Sequence, residues 1–288
     1  KQGMSALLQY LVTGIGIGTL YALIAAGFCL TYNTSGIINF AQGEFVMLGG
    51  MLAVWLHQFQ GLPLAISMLL AIGLTALAGM VVERLAIRPA RGSGLTTLII
   101  ITIGVSFIIK ALVGAVTKDE FHLPALPGPT AVAVLGATIT VQTLWILALG
   151  AAIVLALGLF LKYTLLGTTL RAMAEDRQAI RNLGVDSQAL PVLALGMSAA
   201  IGAAAGVLIT PLTQMSWLKG TELGLKGFCA AVLGGMGSLP GAVVGGLVIG
   251  IAETCGSAVF SGYKEVIAFA LVLVILYTRP QGLLGGRL

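Results

Sequence analysis

The sequence predicts an all-α polytopic membrane protein of eight to nine spans with discontinuous helices, and three observations carry that reading. Hydrophobic residues fill 58% of the 288 positions and charged residues only 9%, at a mean hydropathy of +1.05, whereas a soluble domain carries about 25% charge. Apolar runs of helix length recur at 5–30, 38–59, 63–87, 95–117, 138–161, 190–215, 224–251 and 264–278. The basic residues gather in a few short connections. Lipid admits only helices or closed barrels, because every backbone polar group needs a partner within the segment or ladder, and the period-two alternation of barrel strands is absent. At roughly 20 residues per crossing, no room remains for a soluble domain, so 1–288 reads as one transmembrane domain.

Taken in order, the first run follows Lys1-Gln2-Gly3 and Met4, and no small-residue cleavage site follows a short apolar stretch, so it is expected to remain as a span. The second opens in "TYNTSGIINFAQGEFVMLGG", Thr31–Gly50, where an acid and three amides interrupt apolar sequence. Each would cost several kcal/mol if left unpaired in lipid. The spacing predicts a break over Thr31–Gly36, its freed backbone groups met by Asn33, Thr34 and Ser35, with Asn39, Gln42 and Glu44 on the helix that resumes. Asn33, Asn39, Phe40, Gln42, Gly43 and Glu44 are the candidate path or gate residues. Two roles stay open for them: a discontinuous-helix gate, or polar glue between helices.

Arg84, Arg88 and Arg91 close the third run, Lys162, Arg171, Arg177 and Arg181 follow the fifth, and Arg279 and Arg287 end the chain. By the positive-inside rule these clusters face the cytoplasm. The loop "TKDEFHLPALPGPTAV", Thr117–Val132, belongs outside. The net charge of +5 therefore reports membrane orientation and gives no reason to expect nucleic acid. The seventh run is broken by Gly234-Gly235, Gly237 and Pro240 and is expected to hold a half-helix plus a full helix. Lys219, Glu222 and Lys226 before it read as an outer loop, either solvated or in contact with a partner protein, and Glu253 as a deep acid paired with a polar group of another span or of a partner subunit. Glu83 and Lys110 read as snorkelling groups near span ends, and Trp55, Trp145 and Trp217 as interfacial anchors. Four-residue glycine pairs, Gly14/Gly18, Gly202/Gly206, Gly241/Gly245 and Gly246/Gly250, argue for close helix packing and one or more subunit interfaces. "LGGM" occurs at 48–51 and 233–236, a faint internal echo. Cys29, Cys229 and Cys255 read as small core residues.

The longest inner connection, about 162–190, contains "LRAMAEDRQAIRNLGVD". An amphipathic helix is expected over Thr168–Leu183, with Leu170, Met173, Ile180 and Leu183 on its apolar face and Gly184 as its stop. It serves either as a linker in the interface or as a docking helix whose apolar face enters a groove on a partner. This stretch resembles the coupling loop of ABC importer permeases. "GIINFAQGEFVMLGG", "AAVLGGMGSLPGAVVGG" and "YTRPQGLLG" resemble, in order and spacing, the permease subunits of branched-chain (hydrophobic) amino acid ABC importers, from Leu7 to Gly285. Relatives in that family often carry His where this chain has Gln42.

The resemblance implies an ABC importer permease architecture in a bacterial or archaeal cytoplasmic (inner) membrane. It also implies a second homologous permease subunit, with a heterodimer favoured, two ATPase subunits that bind ATP and Mg, and a soluble substrate-binding protein. Arg171, Ala172, Glu175, Arg177, Arg181 and Gly184 would then lie at the ATPase interface. The chain has no G-x-x-x-x-G-K-[ST] loop to cradle phosphates, so ATP hydrolysis is expected in partner subunits. The substrate expected is a branched-chain or other hydrophobic amino acid, with urea, short amides or aromatic acids as the alternative. An ion-coupled carrier would bury several acids in its spans, and only Glu44 and Glu253 qualify. Nucleophilic or metal chemistry lacks its residues: His57 and His122 are scattered, and no G-x-S-x-G is present.

Overall fold

The computed structural model describes residues 2–128, 131–134, 137–175, 189–259 and 264–284. Among the described residues ten α-helices follow one another: α1 (Gln2–Ser35), α2 (Gln42–Val54), α3 (Leu64–Val82), α4 (Leu95–Val116) and α5 (Val141–Tyr163), then α6 (Leu165–Glu175), α7 (Ala189–Ile209), α8 (Lys219–Gly234), α9 (Leu239–Val259) and α10 (Lys264–Thr278). Before α5, the antiparallel strands β1 (Ala131–Val134) and β2 (Ala137–Thr140) pair Ala131 with Thr140 and Val134 with Ala137. The run expected at 138–161 therefore starts in a strand: β-branched Thr138, Ile139 and Thr140 suit an extended backbone, and the helix begins at Val141.

Among the described residues, six helices are long and apolar enough to cross a bilayer: α1, α3 with the turns that extend it to Ala90, α4, α5, α7 and α9. The chain is an all-α polytopic membrane protein. The runs at 38–59 and 264–278 form shorter helices of 13 and 15 residues. A π-helical turn over Trp55–Phe59 lengthens α2, and another over Glu83–Ile87 follows α3.

Helix α1 is the axis of the bundle, packed by α9, α7, α8 and α5. Its apolar window is 72% buried and that of α7 is 78% buried, against 11% for α4, so α1 and α7 form the core and α4 lies at its edge. The glycine pairs make the closest crossings. A Cβ on Gly14 or Gly18 would stand 2.8 Å from the Cα of Ile251 or Leu247, and Gly246 and Gly250 meet Ala22 and Gly18 from the other side. Gly241 and Gly245 face α8, and Gly202 and Gly206 face Gln42 and Val46 of α2. All four pairs thus make the close helix packing expected of them within this chain.

The LGGM echo has no structural counterpart. Gly49 and Gly50 lie inside α2, whereas Gly235, at φ 106°, terminates α8. Helix α7 stops at Ile209 before Pro211, short of the expected 215. The chain then turns, Leu212 and Thr213 donating to the Ile209 carbonyl, before Met215 and Phe121 exchange backbone hydrogen bonds of 2.9 and 3.0 Å.

Candidate functional site

Two interruptions shape the interior. At the first, Thr34 and Ser35 turn their hydroxyls back onto the carbonyls of Leu30 and Thr31, and Gly36 at φ 68° ends α1. Only glycine enters that region without strain. The break falls at 36–41, later than the expected 31–36. Asn39 accordingly lies in the break and not on the resumed helix: its Oδ1 accepts the Ala41 N–H at 3.1 Å, and its carbonyl accepts the Gln42 N–H at 3.1 Å. Helix α2 thus begins inside the bundle. Gln42 is 0% exposed, packed between Gly27 of α1 and Gly202 of α7.

The second interruption separates α8 from α9, as the Gly/Pro pattern predicts. Gly235 and Gly237, at φ 106° and 98°, make the turn. Ser238 Oγ accepts the Gly241 N–H at 3.1 Å, and Pro240 occupies the first turn of α9, where its missing N–H costs nothing. Two contacts tie this break to distant sequence. Asn33 donates from Nδ2 to the Gly237 carbonyl at 2.7 Å. The N–H groups of Leu283 and Leu284 donate to the carbonyls of Leu233 and Gly234 at 2.8 and 2.9 Å, satisfying the open end of α8.

The first turns of α2 and α8 meet at glycines. A Cβ on Gly43 would lie 2.7 Å from the Cα of Gly224 and would overlap the Gly220 carbonyl. Beside this crossing Glu44 is buried, with Oε1 accepting from Ser106 Oγ at 3.2 Å and Thr221 Oγ1 at 3.0 Å. Its Oε2 faces Gly220 and has no hydrogen-bond partner among the described residues. Lys110 of α4 donates to Thr221 Oγ1 at 3.2 Å and lies 5.9 Å from the Trp217 ring centroid. Phe40 is 37% exposed and packs on Phe228 at 5.7 Å, which in turn meets Phe28 edge-on at 5.7 Å. Thr221, Leu225 and Phe228 recur at helical spacing, so one face of α8 presents a hydroxyl, an aliphatic and an aromatic group beside the Glu44 cluster.

Of the six candidate path residues, Phe40, Gly43 and Glu44 come together here, whereas Asn33, Asn39 and Gln42 do not. Gln42 is interhelical glue: its Nε2 donates to the Ser198 carbonyl at 3.0 Å, and Ser198 Oγ lies 2.8 Å from Gln42 Oε1 and 2.7 Å from the Gly27 carbonyl. Asn33 holds the second break.

Sequence reasoning missed the setting of three charges. Helix α8 starts at Lys219, so Lys219, Glu222 and Lys226 are helical and do not form a solvated loop. Lys226 is 4% exposed and donates to Glu222 at 3.2 Å and Glu253 at 2.8 Å; the Tyr21 hydroxyl donates to Glu253 at 2.7 Å, and Lys219 pairs with Glu222 at 3.0 Å. Their i, i+3 and i+4 spacing was the available signal. Glu83 likewise does not snorkel: it is buried and paired with Arg91.

On α6, Thr164 Oγ1 accepts the Gly167 N–H at 3.0 Å and starts the helix at Leu165, ahead of the expected Thr168. Leu170 and Met173 are buried against their own chain, beside α1 and α5. That part of the expected apolar face is covered within the chain, and Ile180 and Leu183 lie outside the described residues; Arg171 and Glu175 are exposed and Ala172 half-buried. Arg177, Arg181 and Gly184 lie outside the described residues.

Helix α2 begins inside the bundle and meets the first turn of α8 at a polar cluster, and the described residues hold six long apolar helices: this is a polytopic membrane protein with a discontinuous helix. The family model for the branched-chain amino acid transport system permease component matches residues 10–276. The permease protein BraD of the high-affinity branched-chain amino acid transport system of Pseudomonas aeruginosa is 37% identical, over 96% of this chain and 95% of that one. LivH of Escherichia coli K12, named for the same type of system, is 36% identical over the same shares. The chain belongs to this permease family. Among solved structures, PsaBC from Streptococcus pneumoniae in complex with Fab has the same fold, with a TM-score of 0.53 at 15% identity, covering 96% of this chain and 92% of that one.

Proposed function

We propose that this chain is the membrane-spanning permease subunit of an ATP-driven importer of branched-chain or other hydrophobic amino acids, in the cytoplasmic (inner) membrane of a bacterium or archaeon. The observation that carries it is the family match over residues 10–276, joined to the meeting of two helix starts at Gly43 and Gly220. The face that holds Phe40, Thr221, Leu225 and Phe228 lies beside the Glu44–Lys110 cluster. It forms half of the translocation path, and a homologous permease subunit supplies the other half, most simply as a heterodimer. Apolar and aromatic walls with few polar groups suit passage of an apolar side chain without a tight resting site. Helix α2 with its π turn and α10 complete eight crossings, and α8 enters as a ninth, shorter element.

Two ATPase subunits, which carry ATP and Mg, dock on the inner connection at about 162–190, contacting Arg171, Ala172 and Glu175 on α6 and Arg177, Arg181 and Gly184 beyond it. A soluble binding protein delivers the substrate from outside. Because the apolar face of α6 is seated on α1, a push on α6 moves α1 and, through Asn33 and Gly237, the second break. The two states of the bundle are then biased by the ATPase pair. Reconstitution with the ATPases, the second permease and the binding protein in liposomes tests this reading: leucine uptake that depends on ATP is expected. Ion-driven uptake by the purified chain without any ATPase would overturn it.

A further inference from the structure

On the side of α8 away from Phe40, a cavity of about 380 Å³ lies within the single chain, between α1, β2, α8 and α9. Its floor holds the buried pair Lys226–Glu253 beneath the Tyr21 hydroxyl. Its rim holds the pair Lys219–Glu222, both side chains 35% exposed. Val12, Leu20, Ile209 and Leu223 give the lining its aliphatic surface, and Thr13 and Thr143 border the same space. The volume lies in the range of small-molecule sites, about 300–1,000 Å³, and the lining has their usual form, an apolar enclosure with a few placed polar groups.

The charges alternate in sign, Lys219, Glu222, Lys226 and Glu253, and sum to zero. A lone anion entering the cavity meets the two carboxylates, and a lone cation meets the two ammonium groups. A ligand that carries one charge of each sign a few bonds apart meets neither conflict. The rim pair is the exchangeable one, since a half-exposed ion pair is only weakly held, whereas the floor pair is fixed by burial and by Tyr21. We propose that this cavity is a binding site for a free zwitterionic amino acid with an aliphatic side chain. Its ammonium group replaces Lys219 on Glu222, its carboxylate pairs with Lys219, and its side chain lies on the wall formed by Leu20, Ile209 and Leu223.

This site is separate from the proposed path and goes beyond it. Lys219, Glu222, Leu223 and Lys226 recur on one face of α8, whereas Thr221, Leu225 and Phe228 occupy another, so one rigid helix carries both. An amino acid held behind α8 therefore bears on the path without standing in it, and connects the concentration of free amino acid outside to the position of a path-lining helix.

The test is equilibrium binding of radiolabelled L-leucine to the purified permease–ATPase complex in nanodiscs, with no binding protein present. Saturable binding is expected, competed by unlabelled leucine but not by a hundredfold excess of N-acetyl-L-leucine or L-leucinamide, each of which lacks one charge. Lys219→Gln and Glu222→Gln should each weaken it tenfold or more. Thr13→Trp, at an exposed position on the rim, should abolish it without touching the charges. The proposal is overturned if binding is absent, if leucinamide or N-acetylleucine competes as well as leucine, or if Thr13→Trp leaves binding intact, which would place the leucine in the path. ATP-dependent uptake by the wild-type complex without saturable binding removes the cavity site and leaves the transport reading standing; binding without such uptake does the reverse.

Discussion

Replacing Lys226 by Met withdraws the ammonium group that two carboxylates share. Lys226 Nζ lies 2.8 Å from Glu253 and 3.2 Å from Glu222, at 4% exposure. Removing one member of a buried ion pair costs about 3–5 kcal/mol, chiefly because the other charge is left uncompensated. Here the damage is unequal. Glu222 keeps Lys219 and its access to water, whereas Glu253 keeps the hydrogen bond from Tyr21 as its remaining support among the contacts described. The loss expected for Lys226→Met is therefore about 3 kcal/mol, the lower end of that range. Glu253→Gln preserves an acceptor for Tyr21 and leaves Lys226 with Glu222, so about 2 kcal/mol is expected, the worth of a hydrogen bond to a charged group. The double variant removes both charges and should fall short of the sum of the single losses by about 1–2 kcal/mol, the coupling of groups in direct contact. Reversible unfolding of the purified protein in micelles measures all three. Single losses that add to within about 0.5 kcal/mol, as for independent sites, would refute the buried network.

Gly43→Ala places a methyl group 2.7 Å from the Gly224 Cα; about 1–3 kcal/mol of destabilisation by overpacking and loss of leucine uptake in proteoliposomes are expected. Gly235→Ala must hold φ 106°, a strain of about 1–3 kcal/mol, and a lower melting temperature in detergent is the readout. Gln42→Leu loses the bonds to Ser198 while keeping similar bulk, which should cost about 1–3 kcal/mol for the polar groups left behind in the same unfolding assay. On α6, Leu170→Ala should cost about 2–5 kcal/mol as a core truncation. Arg171→Ala with Glu175→Ala should stay within about 0.5 kcal/mol and yet cut ATP-dependent uptake by at least tenfold.

The membrane class and the helical fold were legible because lipid enforces long apolar runs, and both helix interruptions were legible because Gly, Pro and amides gather where the backbone must leave the helix. Their position was less so. Thr34 and Ser35 satisfy α1 from within and carry it to Ser35, so the residues expected to form the break complete the helix instead. The charges at 219–226 were misplaced because a single sequence shows their helical spacing but not Glu253, their partner across the bundle. Likewise Leu170 and Met173 gave the amphipathic face of α6 without revealing that α1 already covers it. The short hairpin before α5 escaped notice because four-residue strands of Ala, Val and Thr look apolar in a window sized for helices.

Helix α1 has 34 residues, about 50 Å at 1.5 Å per residue, and its apolar stretch alone is 28 residues. The hydrocarbon layer is about 30 Å thick, so α1 must tilt, protrude or thicken the surrounding lipid. Its N-terminal half carries Thr13 and Tyr21 of the charged cavity, and its C-terminal end carries Asn33 at the second break. Any change in its inclination is shared by both, which makes acyl-chain length a variable of this subunit: a thinner bilayer tips the rod, a thicker one stands it upright.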